Sequence, residues 1–262
     1  PLGGGSKRPI GKAVVADVLD LAALDGIVAY EPAELVLTAQ AATPLATIER
    51  ALAANSQRLA FEPPDFGRLL GHDRPQTIGG VLAANLAGSR RVSAGAARDH
   101  FLGFHAVAGS GERFKAGGKV VKNVTGYDLP KLLAGSWGTL AVLTEVTLRV
   151  APAPELDRTL VVAVSAPAAA VALLSAALGS AHDVSAAAFE PGRGALLRLE
   201  GFAASVEART QALCADLRCE PAAILDGAAS QQLWRDMGGA VALAAAAVVW
   251  RISVTPSEAP VV

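Results

Sequence analysis

Three glycine-rich loops carry the most legible chemistry in this chain: Gly3-Gly-Gly-Ser-Lys7, Thr77-Ile-Gly-Gly80 and Gly135-Ser-Trp-Gly-Thr139. A pyrophosphate needs several backbone N–H donors within hydrogen-bond range, and a side chain at Cβ would hold the backbone away from it. A helix starting at Thr77 would add donors and a favourable dipole. The two commonest nucleotide loops do not account for these glycines. A P-loop needs G-x-x-x-x-G-K-[ST], but Gly11-Lys12 is followed by Ala13, and Ser6 stands where the first glycine belongs. A Rossmann fingerprint needs G-x-G-x-x-G, but Gly3-x-Gly5 runs on to Arg8 and Gly109-x-Gly111 to Phe114.

Other chemistries find less support. His72, His100, His105 and His182 lack metal-ligand spacing, and His105 sits in an alternating strand where a structural role suffices. Cys214 and Cys219 form no CxxC, and no second pair exists, which argues against structural zinc and for free thiols on an amphipathic helix. No metal site is therefore expected. A Ser-His-Asp site would need a G-x-S-x-G elbow, which is absent. The net charge of −1 offers no field for nucleic acid, and Arg90-Arg91 reads as a solvated loop. The longest apolar run, Ala240 to Trp250, is too short to span a bilayer.

The elements that must position the loops follow from periodicity and turn signals. Ala13 to Val18, Gly26 to Tyr30 and Leu35 to Ala39 read as strands, the last two joined through Glu31-Pro32. Thr43-Pro44 reads as a hydroxyl N-cap followed by proline at the first helical position, and Leu45, Ile48 and Leu52 supply one face. Arg58 to Phe61 returns as a strand. A helix opens at Thr77 and runs to about Leu86. Phe104 to Ala108 and Arg113 to Lys115 flank a turn at Gly109 and Gly111. Thr125 to Leu133 reads as a helix. Leu140 to Val150 reads as a long strand, with Val142, Thr144, Val146, Leu148 and Val150 on one face.

Ala151-Pro-Ala-Pro154 marks a boundary. Beyond it the order is strand (Arg158 to Val164), helix (Pro167 to Leu178), strand pair (Ala186 to Glu190, Leu196 to Glu200), helix (Ser205 to Leu217) and strand (Val248 to Val254). That β-α-β-β-α-β order is ferredoxin-like. The alanine-rich stretch from Ala228 to Ala247 stays ambiguous.

Several blocks then occur together in a specific order: Gly3-Gly-Gly-Ser-Lys7; PQTIGGVLAANLAG (Pro75 to Gly88); SAGAARDHFLG (Ser93 to Gly103); and KVVKNVTGYDLPKLLAGSWGTLAVLTEVTLRV (Lys119 to Val150). In these blocks the chain resembles the PCMH-type FAD-binding domains of the vanillyl-alcohol-oxidase superfamily. Within it, KNVTGYDL, GSWGTLAVLTE, Glu31 to Leu52 and Leu59 to Gly67 are most similar to the flavin subunits of bacterial glycolate oxidases. The likeness is dense over about the first 150 residues. It is thin afterwards, resting on Leu196 to Gly201 and Trp250 to Ser253.

The resemblance implies an α+β chain: a PCMH-type FAD-binding domain of two α+β subdomains over residues 1–152, then a ferredoxin-like cap over 153–262. Both ends read as truncated, because the chain opens in the glycine loop without Met and closes before the substrate motifs some superfamily members carry. It further implies noncovalent FAD, although His100 stands where a covalent flavin link is conceivable. Gly3, Gly4, Gly5 and Ser6 would form the pyrophosphate loop, with Lys7 and Gly11 nearby. Thr77, Ile78, Gly79 and Gly80 would contact the diphosphate and flavin edge. Asn85, Gly88, Gly95 and Asp99 would line further flavin-facing turns, and Gly138, Thr139, Leu140 and Val142 the adenosine half. Lys122, Tyr127 and Asp128 are additional candidates. No catalytic acid or base is nominated.

The implied activity is oxidation of glycolate, or a related 2-hydroxy acid, to the 2-oxo acid. The implied partners are a larger FAD-containing catalytic subunit and an iron-sulfur subunit. The implied location is the cytoplasm, with room for peripheral association at the inner membrane. Two other readings stay open: a non-catalytic FAD-binding or assembly subunit of that complex, and a standalone D-lactate-type FAD-linked dehydrogenase.

Overall fold

The computed structural model describes residues 1–11, 15–119 and 126–261. Two compact units emerge: residues 1–88, 95–153 and 238–244 form one, and residues 89–94, 154–237 and 245–262 the other.

In the first unit, β1 (Ile27–Glu31) and β2 (Val36–Gln40) join through a 3-10 turn at Pro32–Glu34. Next come α1 (Leu45–Ala53) and a two-residue strand β3 (Gln57–Arg58). Further along lie α2 (Ile78–Ala83) and, counted with the second unit, α3 (Arg91–Ala94). The hairpin strands β4 (Phe101–Ala108) and β5 (Arg113–Gly117) precede α4 (Leu129–Leu133), β6 (Ala141–Arg149) and the short β7 (Ala151–Pro152). Five strands make an antiparallel sheet in the order β1-β2-β6-β4-β5. The helices cover one of its faces. Leu45, Ile48 and Leu52 of α1, spaced for one helical stripe, are buried with Leu37, Ile78, Leu82, Phe101, Phe104 and Leu148.

Several local expectations change. Thr43 does not cap α1: its hydroxyl accepts from the Gly26 amide (2.9 Å) and donates to the Gly26 carbonyl (3.1 Å), so Pro44 takes the N-cap position without a side-chain bond. Residues 15–19 form no strand, and residues 13 and 14 of that expected strand lie outside the described residues. Of Arg58 to Phe61, only Arg58 is in a strand. The expected helix from Thr125 begins at Leu129, capped by the Asp128 carboxylate on the Lys131 amide; Thr125 itself lies outside the described residues.

The strand β6 departs from simple alternation. His105 of β4 faces Glu145 and Ala106 faces Leu143, so Thr144 has no opposite number. A β-bulge of this kind inserts a residue and shifts the pleat. The buried set accordingly changes phase, from Ala141 and Leu143 to Val146, Leu148 and Val150. Thr144 is tied down on both sides, its carbonyl accepting from the Ala41 amide and its hydroxyl donating to the His105 carbonyl.

The second unit runs β8 (Leu156–Val162), α5 (Pro167–Leu178), β9 (Ala186–Glu190), β10 (Gly194–Gly201), α6 (Ala203–Leu217) and β11 (Ala223–Asp226), followed by α7 (Ala228–Gly238). The sheet order is β11-β8-β10-β9, with every neighbouring pair antiparallel. This is the ferredoxin-like arrangement, but its last strand is Ala223–Asp226; residues 248–254 form no strand and are exposed. The pairing partner decides this, because Asp226 lies opposite Arg158 and makes a bidentate ion pair with it at 2.7 and 2.8 Å.

Beneath the same sheet lies a buried polar cluster. The Arg198 guanidinium, fully buried, pairs through Nε with Asp157 Oδ1 at 3.0 Å and through Nη2 with Oδ2. Ser230 donates to Asp157 Oδ1 at 2.6 Å, Thr159 bonds Ser230, and the Trp234 indole N–H donates to Thr159 at 2.7 Å. Arg90 is not a solvated loop residue. It is buried, with Nη1 3.5 Å from Glu200 Oε1, and Ser93 beside it donates to the Ser185 carbonyl.

Removing Asp157 leaves the buried Arg198 guanidinium with only the more distant Glu200 carboxylate, at 3.8 Å, in place of a bidentate pair. Asp157→Ala is expected to destabilise the fold by about 3–5 kcal/mol, read as a lower urea midpoint at unchanged m-value. The exposed Glu207→Ala, which removes the outer partner of Arg158, should shift the midpoint by a small fraction of that.

Candidate functional site

The first unit contains a cleft of about 240 Å³ walled by three segments: residues 1–8, the turn into α2, and the turn from Ser136 into the start of β6. Its glycines are there for close approach. A Cβ on Gly4 would stand 1.9 Å from the Pro75 carbonyl oxygen, and one on Gly79 2.7 Å from that of Ala41. Neither neighbour is a side chain that could swing aside.

The glycine loop is held at both ends. At its start the Leu2 amide donates to the Leu19 carbonyl and the Leu2 carbonyl accepts from the Leu21 amide. At its far end the Ser6 carbonyl accepts from His72 Nε2 at 2.8 Å. The other ring nitrogen of His72 accepts from the Arg74 amide at 3.2 Å, which assigns the proton to Nε2. Between these ties, none of the five amides from Gly3 to Lys7 donates to a protein acceptor among the described residues. Buried or half-buried amides without acceptors are rare in folded proteins, and successive ones make an anion-binding concavity.

The start of α2 behaves differently. The Ile78 amide donates to Thr43, the Gly79 amide to Ala41 and the Gly80 amide to the Thr77 hydroxyl. These donors are spent inside the protein, so the expected contribution of the helix start reduces to the weak, 3.4 Å bond at Gly80. The anion-facing donors belong to the glycine loop.

Lys7 adds the charge. Its Nζ lies 3.3 Å from the Ser6 hydroxyl and would be 3.7 Å from a Cβ on Gly80. Burial lowers its pKa from 10.5 to about 8, partly opposed by the Asp65 carboxylate. An ammonium desolvated in this way gains most from a bound anion.

The structure brings Gly3, Gly4, Gly5, Ser6, Lys7, Thr77, Gly79, Gly80, Gly138 and Val142 onto the walls of this one cleft. Val142 reaches it because the bulge at Thr144 rephases the first residues of β6. Other candidates lie elsewhere. Ile78 is fully buried in the core. Gly11 is exposed, and a Cβ there would meet no atom of the described residues within 4 Å. Gly88 packs on the Glu62 carbonyl, and Asn85 accepts from the Arg98 amide. Gly95 packs on Asp99, whose carboxylate is bonded to the Ala96 amide. Thr139 bonds the Ser136 carbonyl, and Leu140 is half exposed outside the cleft.

His100 is buried with its ring 5.5 Å from Phe61, away from the cleft walls, which gives a covalent flavin link no support. Tyr127 is exposed, Asp128 pairs with Lys131, and Lys122 lies outside the described residues. Among the described residues no group of three His, Cys, Asp or Glu is placed to hold a metal, and no helix is long and apolar enough to cross a membrane. Sequence reasoning missed two residues at the site. His72 left no signal, because its partner is a main-chain carbonyl 66 residues away. Trp137 did leave one: a bulky aromatic residue between two turn glycines, Gly135 and Gly138.

Residues 1–117 match the family of the FAD binding domain. Over 152 residues the chain is 45% identical to the glycolate oxidase subunit GlcE of Escherichia coli (strain K12), covering 58% of this chain and 42% of that protein. Over 138 residues it is 36% identical to a D-lactate dehydrogenase of Anaerostipes hadrus, covering 53% of this chain and 27% of that one. The chain thus spans less than half the length of these relatives. In fold it is similar to an alkyldihydroxyacetonephosphate synthase structure, with a TM-score of 0.64 at 16% identity over 92% of this chain and 51% of that one.

The His72 tie generates a direct expectation. His72→Leu removes the donor to Ser6 and should speed hydrogen exchange of the bonded amides of Arg8 and Ile10, which close the turns at this end of the loop, whereas His72→Gln, which keeps an N–H donor, should restore most of their protection. Equal exchange in all three proteins, read by amide exchange mass spectrometry, would show that the loop is held by other contacts.

Proposed function

We propose that this chain, whose residues 1–117 belong to the FAD binding domain family, is the FAD-binding part of a subunit that oxidises glycolate, or a related 2-hydroxy acid, to the 2-oxo acid. The observation that carries the reading is the row of acceptor-free amides from Gly3 to Lys7, set against a desolvated ammonium in a glycine-walled cleft. The relatives support the substrate class, since a glycolate oxidase subunit and a D-lactate dehydrogenase share this part of the chain. The word subunit in the former supports a heteromeric complex. Its expected members are a larger FAD-containing catalytic subunit and an iron-sulfur subunit.

The residues present fit the cofactor. The amides of Gly3 to Lys7 would donate to the diphosphate oxygens, and Lys7 would neutralise part of their charge. His72 and the Leu2 pairing would hold the loop in that shape. Pockets enclosing a whole ligand typically measure roughly 300–1,000 Å³. At about 240 Å³ the cleft suits the diphosphate bridge and its immediate flanks, with the two ring systems extending beyond it. When bound, FAD supplies two-electron acceptor chemistry. What the described residues contribute is binding and orientation; no proton acceptor for the hydroxy acid is assigned among them. Residues 1–152 would serve as the FAD domain and 153–262 as its cap.

The protein purified with its partners is expected to release free FAD on denaturation and to bleach with glycolate under anaerobic conditions. A colourless preparation that takes up no FAD would overturn the reading. Bleaching by D-lactate without partners would move the assignment to a standalone dehydrogenase.

Lys7 gives the binding a pH dependence of known sign. The diphosphate favours the protonated amine, so binding raises the Lys7 pKa above its free value of about 8. FAD affinity should then be level below pH 8 and weaken above it, by up to about tenfold per pH unit, until the pKa of the complex is passed. Lys7→Met should bind roughly tenfold more weakly at pH 7 and lose the pH dependence, as read by flavin fluorescence titration.

A further inference from the structure

We infer that Trp137 is a stacking platform for one planar heteroaromatic ring of the bound dinucleotide; the inference rests on the cleft being the FAD site. Three observations converge on this residue. Its backbone is left-handed, with φ +55°, a conformation that bulky side chains rarely adopt. It lines the same cleft as the acceptor-free amides of the glycine loop. Trp137 is 49% exposed, so part of the indole lies open beside the cleft.

The strain is imposed from both sides. The Trp137 amide donates to the Ala83 carbonyl at 2.9 Å and the Gly135 amide to Leu82 at 3.3 Å, which fastens the turn to the end of α2. On the other flank the Thr139 amide and hydroxyl both bond the Ser136 carbonyl, and Gly138 is itself left-handed at φ +76°. Glycine or asparagine would satisfy this turn without strain. A tryptophan held there presents a wide, flat, rotamer-limited surface at the cleft wall. The diphosphate of a dinucleotide seated on Gly3 to Lys7 directs its two ring systems out of a cleft too small to enclose them. A ring leaving along the Ser136–Gly138 wall meets the indole, and stacking on an aromatic side chain tolerates any π-face.

Two rings qualify, adenine and isoalloxazine, and truncated ligands separate them. FAD, ADP and FMN are titrated against the full chain and its W137L and W137F variants, with the melting temperature of each apo protein measured alongside. W137L is expected to weaken FAD binding roughly tenfold, and W137F, which keeps an aromatic face, to recover most of that loss. The apo melting temperature should change little, since the indole is half exposed. Loss of affinity for ADP but not FMN identifies adenine as the stacked ring, and the reverse pattern identifies isoalloxazine. Unchanged FAD affinity in W137L, beside tight binding by the unmodified chain, overturns the role of Trp137 and leaves the FAD site standing. Equal weakening in W137L and W137F, with a matching fall in apo melting temperature, also overturns it, because it marks a packing role. No FAD binding by the unmodified chain overturns the site and this inference together.

Discussion

Main chain with nowhere to donate is the constraint around which the first unit is organised. Five successive amides, from Gly3 to Lys7, find no protein acceptor among the described residues, although the loop is largely covered. A buried N–H without an acceptor is costly, so the loop would collapse onto its own carbonyls unless it were held open. Pairing of Leu2 with Leu19 and Leu21 holds one end, and the His72 imidazole holds the Ser6 carbonyl at the other. With that carbonyl engaged by His72, the loop lines the cleft with its amides free of protein acceptors among the described residues. Lys7 extends the same logic to charge: its ammonium is desolvated and its nearest carboxylate influence, from Asp65, offsets only part of the penalty.

The remaining walls depend on departures from regular structure rather than on the regular elements themselves. Without the bulge at Thr144, the alternation of β6 would bury Val142 on the same face as Val146 and Leu148; with it, Val142 reaches the cleft wall. Gly79 lets α2 press on the Ala41 backbone, which consumes the amides at the helix start and transfers the task of binding an anion to the glycine loop. The turn at Ser136–Gly138 places Trp137, left-handed in backbone and half exposed, on the cleft wall. One β-bulge, two close glycine contacts and a left-handed tryptophan thus lie at or beside this cavity.

The buried ionic cluster of the second unit answers to a different purpose. Asp157, Arg198, Ser230, Thr159 and Trp234 bond one another beneath the sheet, with Arg198 fully buried and none of them on the cleft walls. Closed networks of this kind specify one packing arrangement and leave little capacity for a ligand. Arg158 on the same strand as Asp157 faces outward and pairs with Asp226 and Glu207. Its guanidinium pKa is raised by the bonds to Asp226 and Glu207 despite partial burial, and those of the two carboxylates fall correspondingly. Strand alternation alone separates the inward pair from the outward one.

Composition, periodicity and ordered glycine blocks were enough to establish an α+β chain, the antiparallel strands around Gly109 and the ferredoxin-like order of the second half, and to mark the first half as similar to FAD-binding domains. They also picked out Gly3 to Lys7, Thr77, Gly79, Gly80 and Gly138, because glycine runs leave a local mark wherever backbone must be bare. Tertiary structure decided the rest. Asn85, Gly88, Gly95 and Asp99 share those blocks but lie in turns and caps off the cleft walls, a difference that spacing alone does not carry. Ala223–Asp226 became the final strand in place of Val248–Val254, since only a partner such as Arg158 reveals which apolar run pairs. The His72 bond to Ser6, the bulge at Thr144 and the strained backbone of Trp137 all arise from contacts between residues far apart in the chain or from a break in strand register. Local propensity carries no record of either.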